Sequence, residues 1–108
     1  MDLSYLSMCF NESLRIEPPI AASSTFMFHN DVQLADYNIK KGQTMAIFFF
    51  MIHRNPNEWK EPEEFIPERF DPNSDYYLTP AGKKRNPYSF IPFHGGKRIC
   101  NILQIDIF

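Results

Sequence analysis

The residues best suited to chemistry lie late in the sequence, in the run Phe93-His94-Gly95-Gly96-Lys97-Arg98-Ile99-Cys100. Glycines allow a backbone to approach a flat ligand closely, because they carry no side chain. The two cations before Cys100 favour the thiolate over the thiol, and the thiolate is the form that ligates metals. A single thiolate without another soft ligand nearby indicates a metal already held by another group, such as a porphyrin. An ordinary buried cysteine after a glycine-containing loop fits the same spacing.

Two charged motifs precede this run. Glu12 and Arg15 are three residues apart, which places both side chains on one face of a helix. Such a pair is usually solvated and contributes about 0.3 kcal/mol. The second motif is Pro67-Glu68-Arg69-Phe70, which supplies another arginine.

In their order along the chain, these three segments resemble the cytochrome P-450 superfamily of heme-thiolate monooxygenases. The match to its heme-binding loop, Phe-x-x-Gly-x-Arg-x-Cys, is made by Phe93, Gly96, Arg98 and Cys100. The other two segments are similar to the family's Glu-x-x-Arg helix and its Pro-Glu-Arg-Phe element. The resemblance extends over residues 3–100.

The resemblance implies a role for each matched loop residue. Cys100 would be the axial ligand of the iron in heme b. Arg98 would pair with a heme propionate, Phe93 would pack beside the thiolate, and Gly96 would belong to the heme-binding loop. The plainer interpretations are a surface cation for Arg98 and a packing aromatic for Phe93. Residues 20–26 would line the substrate pocket, although they could equally be ordinary core.

Glu12, Arg15 and Arg69 would form a buried structural triad. One carboxylate would accept hydrogen bonds from two guanidinium forks, an arrangement that makes sense only when buried. The triad would lock the fold beside the heme loop and take no part in the reaction.

The implied reaction of a complete protein is insertion of one oxygen atom of dioxygen into a small lipophilic substrate. An electron-donating reductase would be its partner, and the sequence shows no compartment. The chain departs from the family at Ile102, where a small residue is usual. The family's long helix with an acid–alcohol pair and its closing C-terminal helix are also absent. We therefore expect residues 1–108 to be a partial domain, with a catalytically inactive fragment or interaction module as the alternative.

Composition narrows the remaining possibilities. A chain of 108 residues with 44% hydrophobic and 16% aromatic content is a single small unit and is not intrinsically disordered. Its net charge of −2, with scattered cations, predicts no nucleic-acid partner. The longest apolar run, residues 45–52, is far shorter than the roughly 18 residues that a membrane-spanning helix needs.

The sequence pattern predicts an α+β fragment. Apolar residues recur at helical spacing from residue 3 to about 16, and the pattern stops at Pro18-Pro19. Short antiparallel strands are expected within residues 24–47, followed by a buried run at 45–52 of undecided type and a proline-rich irregular segment. The remaining polar candidates are given plain interpretations: a buried thiol for Cys9, a solvated loop for Lys83-Lys84-Arg85, and histidines too dispersed for a metal site at positions 29, 53 and 94.

Overall fold

Residues 3–95 of the chain are described in the computed structural model. Of the residues assigned to the heme loop by resemblance, Phe93 lies inside this range. Gly96, Arg98 and Cys100, together with the divergent Ile102, lie outside the described residues.

Helix α1 spans Leu3–Ile16, as the sequence pattern predicted. It ends just before two prolines, which disfavour helical backbone in the residue that precedes them. Its buried face is not the apolar one: Leu6 and Phe10 are about half exposed, whereas Glu12 and Arg15 are fully buried. The helix therefore packs through its charged pair, against the segment that contains Arg69.

In the described part of the chain, four short strands form two separate antiparallel pairs. Strand β1 (Phe26–Met27) pairs with β4 (Thr44–Met45), and β2 (Val32–Leu34) pairs with β3 (Tyr37–Ile39). The predicted antiparallel strands are confirmed, and the stretch after Asn30 is a hairpin. Its two-residue turn begins at Ala35, which adopts a φ of 49°. The hydrophobic pattern did not mark this turn, because alanine is not a usual turn residue.

The apolar run at residues 45–52 was expected to be buried, and this expectation is wrong for most of it. The run ends in a one-turn helix, α2, at Phe49–Ile52. Phe49 is 1% exposed, but its neighbours Phe48, Phe50 and Met51 are 42–67% exposed. Within residues 3–95, no second layer covers that side of the run, so its composition alone does not bury it.

The centre of the structure is unusually polar. Trp59 and Phe49 are its buried apolar side chains among the described residues, and the other fully buried large side chains are Arg15, Arg69, His53 and Glu12. The backbone around them is mostly irregular, with single turns of 3₁₀ helix at Pro67–Phe70, Asp75–Tyr77 and Pro87–Ser89. Aromatic rings of Phe70 and Phe90 surround Trp59, with ring centroids 6.1 and 6.4 Å away.

Within the described part of the chain, no helix has the length and apolar character needed to cross a membrane.

Replacing Ala35 with glycine should stabilise the fold. An L-residue in the left-handed region costs roughly 1–2 kcal/mol, part of which glycine recovers. We expect Ala35→Gly to raise the free energy of unfolding by about 0.5–1 kcal/mol in thermal or urea melts followed by circular dichroism.

Gly82→Ala is the matched control, because Gly82 has a φ of 75° and an added Cβ would meet nothing within 4 Å. It should lower the same free energy, since only the backbone conformation opposes the methyl group. If both variants changed the free energy of unfolding in the same direction, backbone strain at Ala35 would be contradicted.

Candidate functional site

The described part of the site is built around the carboxylate of Glu12. Arg15 donates to it twice, from Nε to Oε2 at 2.8 Å and from Nη2 to Oε1 at 2.7 Å. Arg69 donates from Nε to Oε1 at 3.0 Å, across 57 residues of sequence. The backbone N–H of Ile66 also donates to Oε1, at 2.9 Å. One carboxylate thus joins helix α1 to the 3₁₀ turn at Pro67–Phe70.

The triad residues Glu12, Arg15 and Arg69 are therefore brought together and are each 0% exposed. Two guanidinium groups share one carboxylate, so the cluster carries a net positive charge. Burying such a charge is costly unless every N–H finds an acceptor. Burial is also the main reason that the pKa of Arg69 lies below its ordinary value, and the nearby charge of Arg15 acts in the same direction.

Backbone carbonyls of the proline-rich segment supply the missing acceptors. The Nη1 atom of Arg15 donates to the carbonyls of His53 and Pro62, and its Nη2 atom donates to that of Glu64. The terminal nitrogens of Arg69 donate to the carbonyls of Lys60, Glu61 and Glu64. Carbonyl dipoles thus solvate the two cations where water is excluded.

Arg85 is a fourth member of this region that the sequence analysis placed wrongly in a solvated loop. Its guanidinium carbon lies 4.3 Å from the centre of the Trp59 ring. Its Nη1 atom donates to the carbonyl of Tyr76 at 2.9 Å, and Nη2 donates to that of Arg69 at 2.5 Å. Burial, reinforced by the charge of Arg69, lowers the pKa of Arg85. Its neighbours Lys83 and Lys84 are exposed, as expected.

His53 was also missed by the sequence analysis, which treated it as one of three dispersed histidines. Its side chain is fully buried, and Nε2 accepts a hydrogen bond from the backbone N–H of Ile91 at 3.0 Å. Burial, with a smaller contribution from the charges of Arg15 and Arg54, lowers its pKa to about 4. His53 is therefore neutral near pH 7. In the sequence, His53 is followed by Arg-Asn-Pro and lies in no periodic pattern, so nothing there could have predicted this contact.

The loop that leads towards Cys100 begins directly after this contact. Pro92 is buried, and Phe93 and His94 are half-buried. The ring of His94 meets that of Phe49 edge to face, with centroids 4.6 Å apart. Gly95 is exposed, and a Cβ atom added there would meet only the ring of Tyr88, at 3.7 Å. The described start of the loop therefore leaves its backbone open to a flat ligand.

The other sequence-predicted candidates are dispersed. Ile20 and Phe26, at the ends of the expected pocket segment, are both nearly half exposed, while Ser23 between them is buried. Cys9 is a free thiol that is only half-buried, rather than buried as predicted. Among residues 3–95, no group of three His, Cys, Asp or Glu side chains lies close enough to hold a metal ion.

Comparison with known proteins identifies the family. The family model described as Cytochrome P450 matches residues 1–101. The chain belongs to the cytochrome P450 family. In this chain, Glu12 and Gly95 both precede Cys100 in the sequence, and the matched residues include all three.

Curated cytochrome P450 relatives come from animals and plants. The chain is 42% identical over 99 residues to human "Cytochrome P450 4F8", and the aligned part covers 91% of this chain and 18% of the relative. It is 38% identical over 99 residues to "Amorpha-4,11-diene 12-monooxygenase" of Artemisia annua, covering 92% of this chain and 19% of that protein. The chain thus spans about a fifth of the length of these relatives.

The fold of this cytochrome P450 segment is similar to a solved structure, "Retinoic acid bound cyanobacterial CYP120A1". The TM-score is 0.78 and the sequence identity is 28%, over 93% of this chain and 21% of that one. The predicted α+β fragment of a heme-thiolate fold is confirmed.

Arg69→Ala should destabilise the protein strongly. Removing one partner from a buried ion cluster leaves other buried groups uncompensated, at a cost of roughly 3–5 kcal/mol. Lys40→Ala is the control, because its ion pair with Asp31 at 3.0 Å is largely exposed and is worth at most about 1 kcal/mol. Denaturant unfolding followed by far-ultraviolet circular dichroism measures both, and equal losses would refute a structural role for Arg69.

The stability of the fold should fall in mild acid because of His53. Its pKa is about 4 when folded, against an ordinary value of 6.5, so the unfolded chain binds more protons between these two pH values. The stability due to neutral His53 is complete above pH 6.5 and is lost as the pH falls towards 4. We expect a loss of about 3 kcal/mol from this group.

Glutamine does not titrate, so His53→Gln should flatten this part of the profile of unfolding free energy against pH. Parallel profiles for the wild type and the variant would show that another group causes the acid loss.

Proposed function

We propose that Cys100 binds the iron of heme b as a thiolate and that the complete protein is a monooxygenase. The observation that carries the proposal is the family match, which runs through residue 101 and so includes the cysteine and its preceding motif. The described residues add two observations that support it. The expected triad of Glu12, Arg15 and Arg69 is buried, and the backbone at Gly95, at the start of the loop, is exposed.

The donor set in this chain suits a metal held mainly by another group. One cysteine in a glycine-containing loop, without a cluster of metal-ligating side chains among residues 3–95, fits iron that a porphyrin already coordinates. The exposed backbone at Gly95 fits the close approach of a flat ring. The chemistry and the described geometry therefore agree with heme.

Each residue of the loop has a distinct task in this proposal. Cys100 supplies the thiolate, which Lys97 and Arg98 favour electrostatically over the thiol. Arg98 pairs with a propionate, Phe93 packs beside the sulfur, and Gly96 allows the backbone to approach the ring. Bound heme supplies redox-active iron for dioxygen chemistry, and electron donation from a thiolate ligand assists O–O cleavage.

The substrate of the complete protein is proposed to be a small lipophilic molecule, and its electrons are proposed to come from a reductase. Residues 20–26 contribute part of the substrate pocket in this scheme. Ile20 and Phe26 leave apolar surface open in the described structure, as a pocket wall requires. The plant relatives include two hydroxylases and a monooxygenase by name, which supports the same reaction class. The net charge of −2 gives no support for a nucleic-acid partner.

An alternative proposal is that the 108-residue chain acts without catalysis, as an interaction module. Its supporting observation is the apolar surface left open among the described residues, including Leu6, Phe10, Phe48 and Met51. Surfaces of this kind associate with other proteins or with one another. Heme uptake separates the two proposals, because an interaction module has no need for it.

Cys100→Ser should abolish the thiolate-type carbon monoxide spectrum of the full-length protein that contains this chain. The hydroxyl of serine is not a thiolate and does not replace its donation to iron. The measurement is the difference spectrum of the reduced protein with and without carbon monoxide. Cys9→Ser is the matched control, since Cys9 lies on α1 and should leave the spectrum intact. A thiolate-type spectrum that survives Cys100→Ser would end the proposal.

A further inference from the structure

His53 connects the charge cluster to the loop. Its own carbonyl accepts a hydrogen bond from Nη1 of Arg15 at 3.0 Å. Its Nε2 atom accepts one from the backbone N–H of Ile91, also at 3.0 Å, across 38 residues of sequence. One residue thus contacts the triad through its backbone and the loop through its side chain. The contact with Arg15 is buried, and the contact with Ile91 is part-buried, on a histidine that is itself fully buried.

The hydrogen bond to Ile91 fixes the protonation of the imidazole. A ring nitrogen accepts a hydrogen bond only when it carries no proton, so neutral His53 must hold its proton on Nδ1. Nδ1 is buried and has no hydrogen bond of good geometry among the described residues. The carbonyls of Leu14 and Arg15, in the last turn of α1, lie near enough to raise the pKa of His53. The ring therefore lies between the end of α1 and the loop, with its donor and acceptor on different nitrogens.

The hydrogen bond from the N–H of Ile91 anchors the start of the loop to the protein interior. The next residue, Pro92, has no N–H, so Ile91 carries the final backbone donor before Phe93. The carbonyl of Ile91 accepts from the N–H of His94 at 3.3 Å, which closes a turn. That turn is held to the protein interior through the N–H of Ile91, and the chain continues from it to Cys100.

We propose that His53 is a positioning residue for the loop that carries Cys100, acting through the hydrogen bond from Ile91 N–H to Nε2. This inference rests on the proposed function of Cys100 as the heme ligand. In this proposal His53 acts through Ile91 and not by contact with Cys100, because its side-chain acceptor is occupied by the N–H of Ile91. His53 also accepts a hydrogen bond from Arg15 through its backbone carbonyl. The buried cluster and Ile91 are therefore linked through this one residue.

The competing explanation is that His53 only fills space. Its ring packs against Phe90, with centroids 5.5 Å apart. Phenylalanine at position 53 would keep this ring contact and lose the acceptor. Glutamine would lose the ring, but its side-chain oxygen reaches about as far as Nε2 and can accept the same hydrogen bond. The two variants therefore separate packing from hydrogen bonding.

The experiment compares His53→Phe and His53→Gln in the full-length protein that contains this chain. The first readout is hydrogen exchange at the Ile91 amide, resolved by mass spectrometry with fragmentation, which requires no heme. The second is the carbon monoxide difference spectrum of the reduced heme protein. His29→Gln is the control, since His29 is exposed.

For His53→Phe we expect Ile91 to exchange at least about tenfold faster, because the hydrogen bond that protects its N–H is lost. We also expect part of the thiolate-type spectrum to be replaced by that of a neutral thiol ligand. His53→Gln should restore both readouts, and His29→Gln should alter neither. Unchanged exchange in His53→Phe, or equal losses in the Phe and Gln variants, would overturn the proposal. Faster exchange with an unchanged spectrum would overturn it too, because the hydrogen bond would then have no effect at Cys100.

If His53→Phe does not fold, His53→Asn replaces it, because its shorter amide reaches the place of Nδ1 and not that of Nε2. Loss in the Asn variant with retention in the Gln variant supports the proposal, and equal behaviour refutes it. A wild-type protein without a thiolate-type spectrum would refute the proposed function itself. The exchange rates of Ile91 would then decide the role of His53 alone.

Discussion

A buried guanidinium group requires an acceptor for each of its N–H bonds, and the rest of this structure depends on that requirement. Glu12 cannot satisfy both Arg15 and Arg69, because its two oxygens already receive four hydrogen bonds. Backbone carbonyls must supply the remainder. The proline-rich segment is suited to this task, since each proline removes one N–H that could compete for these carbonyls. The carbonyl of Glu61 accepts both from Arg69 and from the backbone N–H of Glu64. Its irregular path is the shape needed to direct these carbonyls at two cations.

This requirement also explains why so small a structure has a charged centre. Trp59 and Phe49 alone bury little apolar area, and helix α1 leaves Leu6 and Phe10 about half exposed. Order instead comes from directional contacts, which tolerate less variation in geometry than apolar packing does. Replacing such a cluster with apolar residues can leave stability unchanged, whereas breaking it is costly. The cluster is therefore better understood as fixing one backbone arrangement than as adding to stability.

The sequence predicted helix α1, the antiparallel strands and, through family resemblance, the association of Glu12 with Arg15 and Arg69. It did not predict what surrounds them, because carbonyl acceptors carry no side-chain signature. The roles of His53 and Arg85 were missed for a related reason: their hydrogen-bond partners lie 9 to 38 residues away, and neither residue lies in a periodic pattern. Burial of the apolar run at residues 45–52 was also mispredicted. Composition shows that a segment is hydrophobic, but it does not show whether another part of the protein packs against it.

Trp59 has a consequence for how this protein could be observed. It is the single tryptophan of the chain, it is 1% exposed, and the guanidinium groups of Arg15 and Arg85 lie 5.2 and 4.3 Å from its ring centre. Indole emission depends on nearby charge and on contact with water, and here both are set by the same few residues. Trp59 is therefore an intrinsic fluorescent probe of the charged centre. Separation of Arg15 or Arg85 from the indole ring, or entry of water, would change the wavelength and intensity of its emission even if strands β1 to β4 stayed in place.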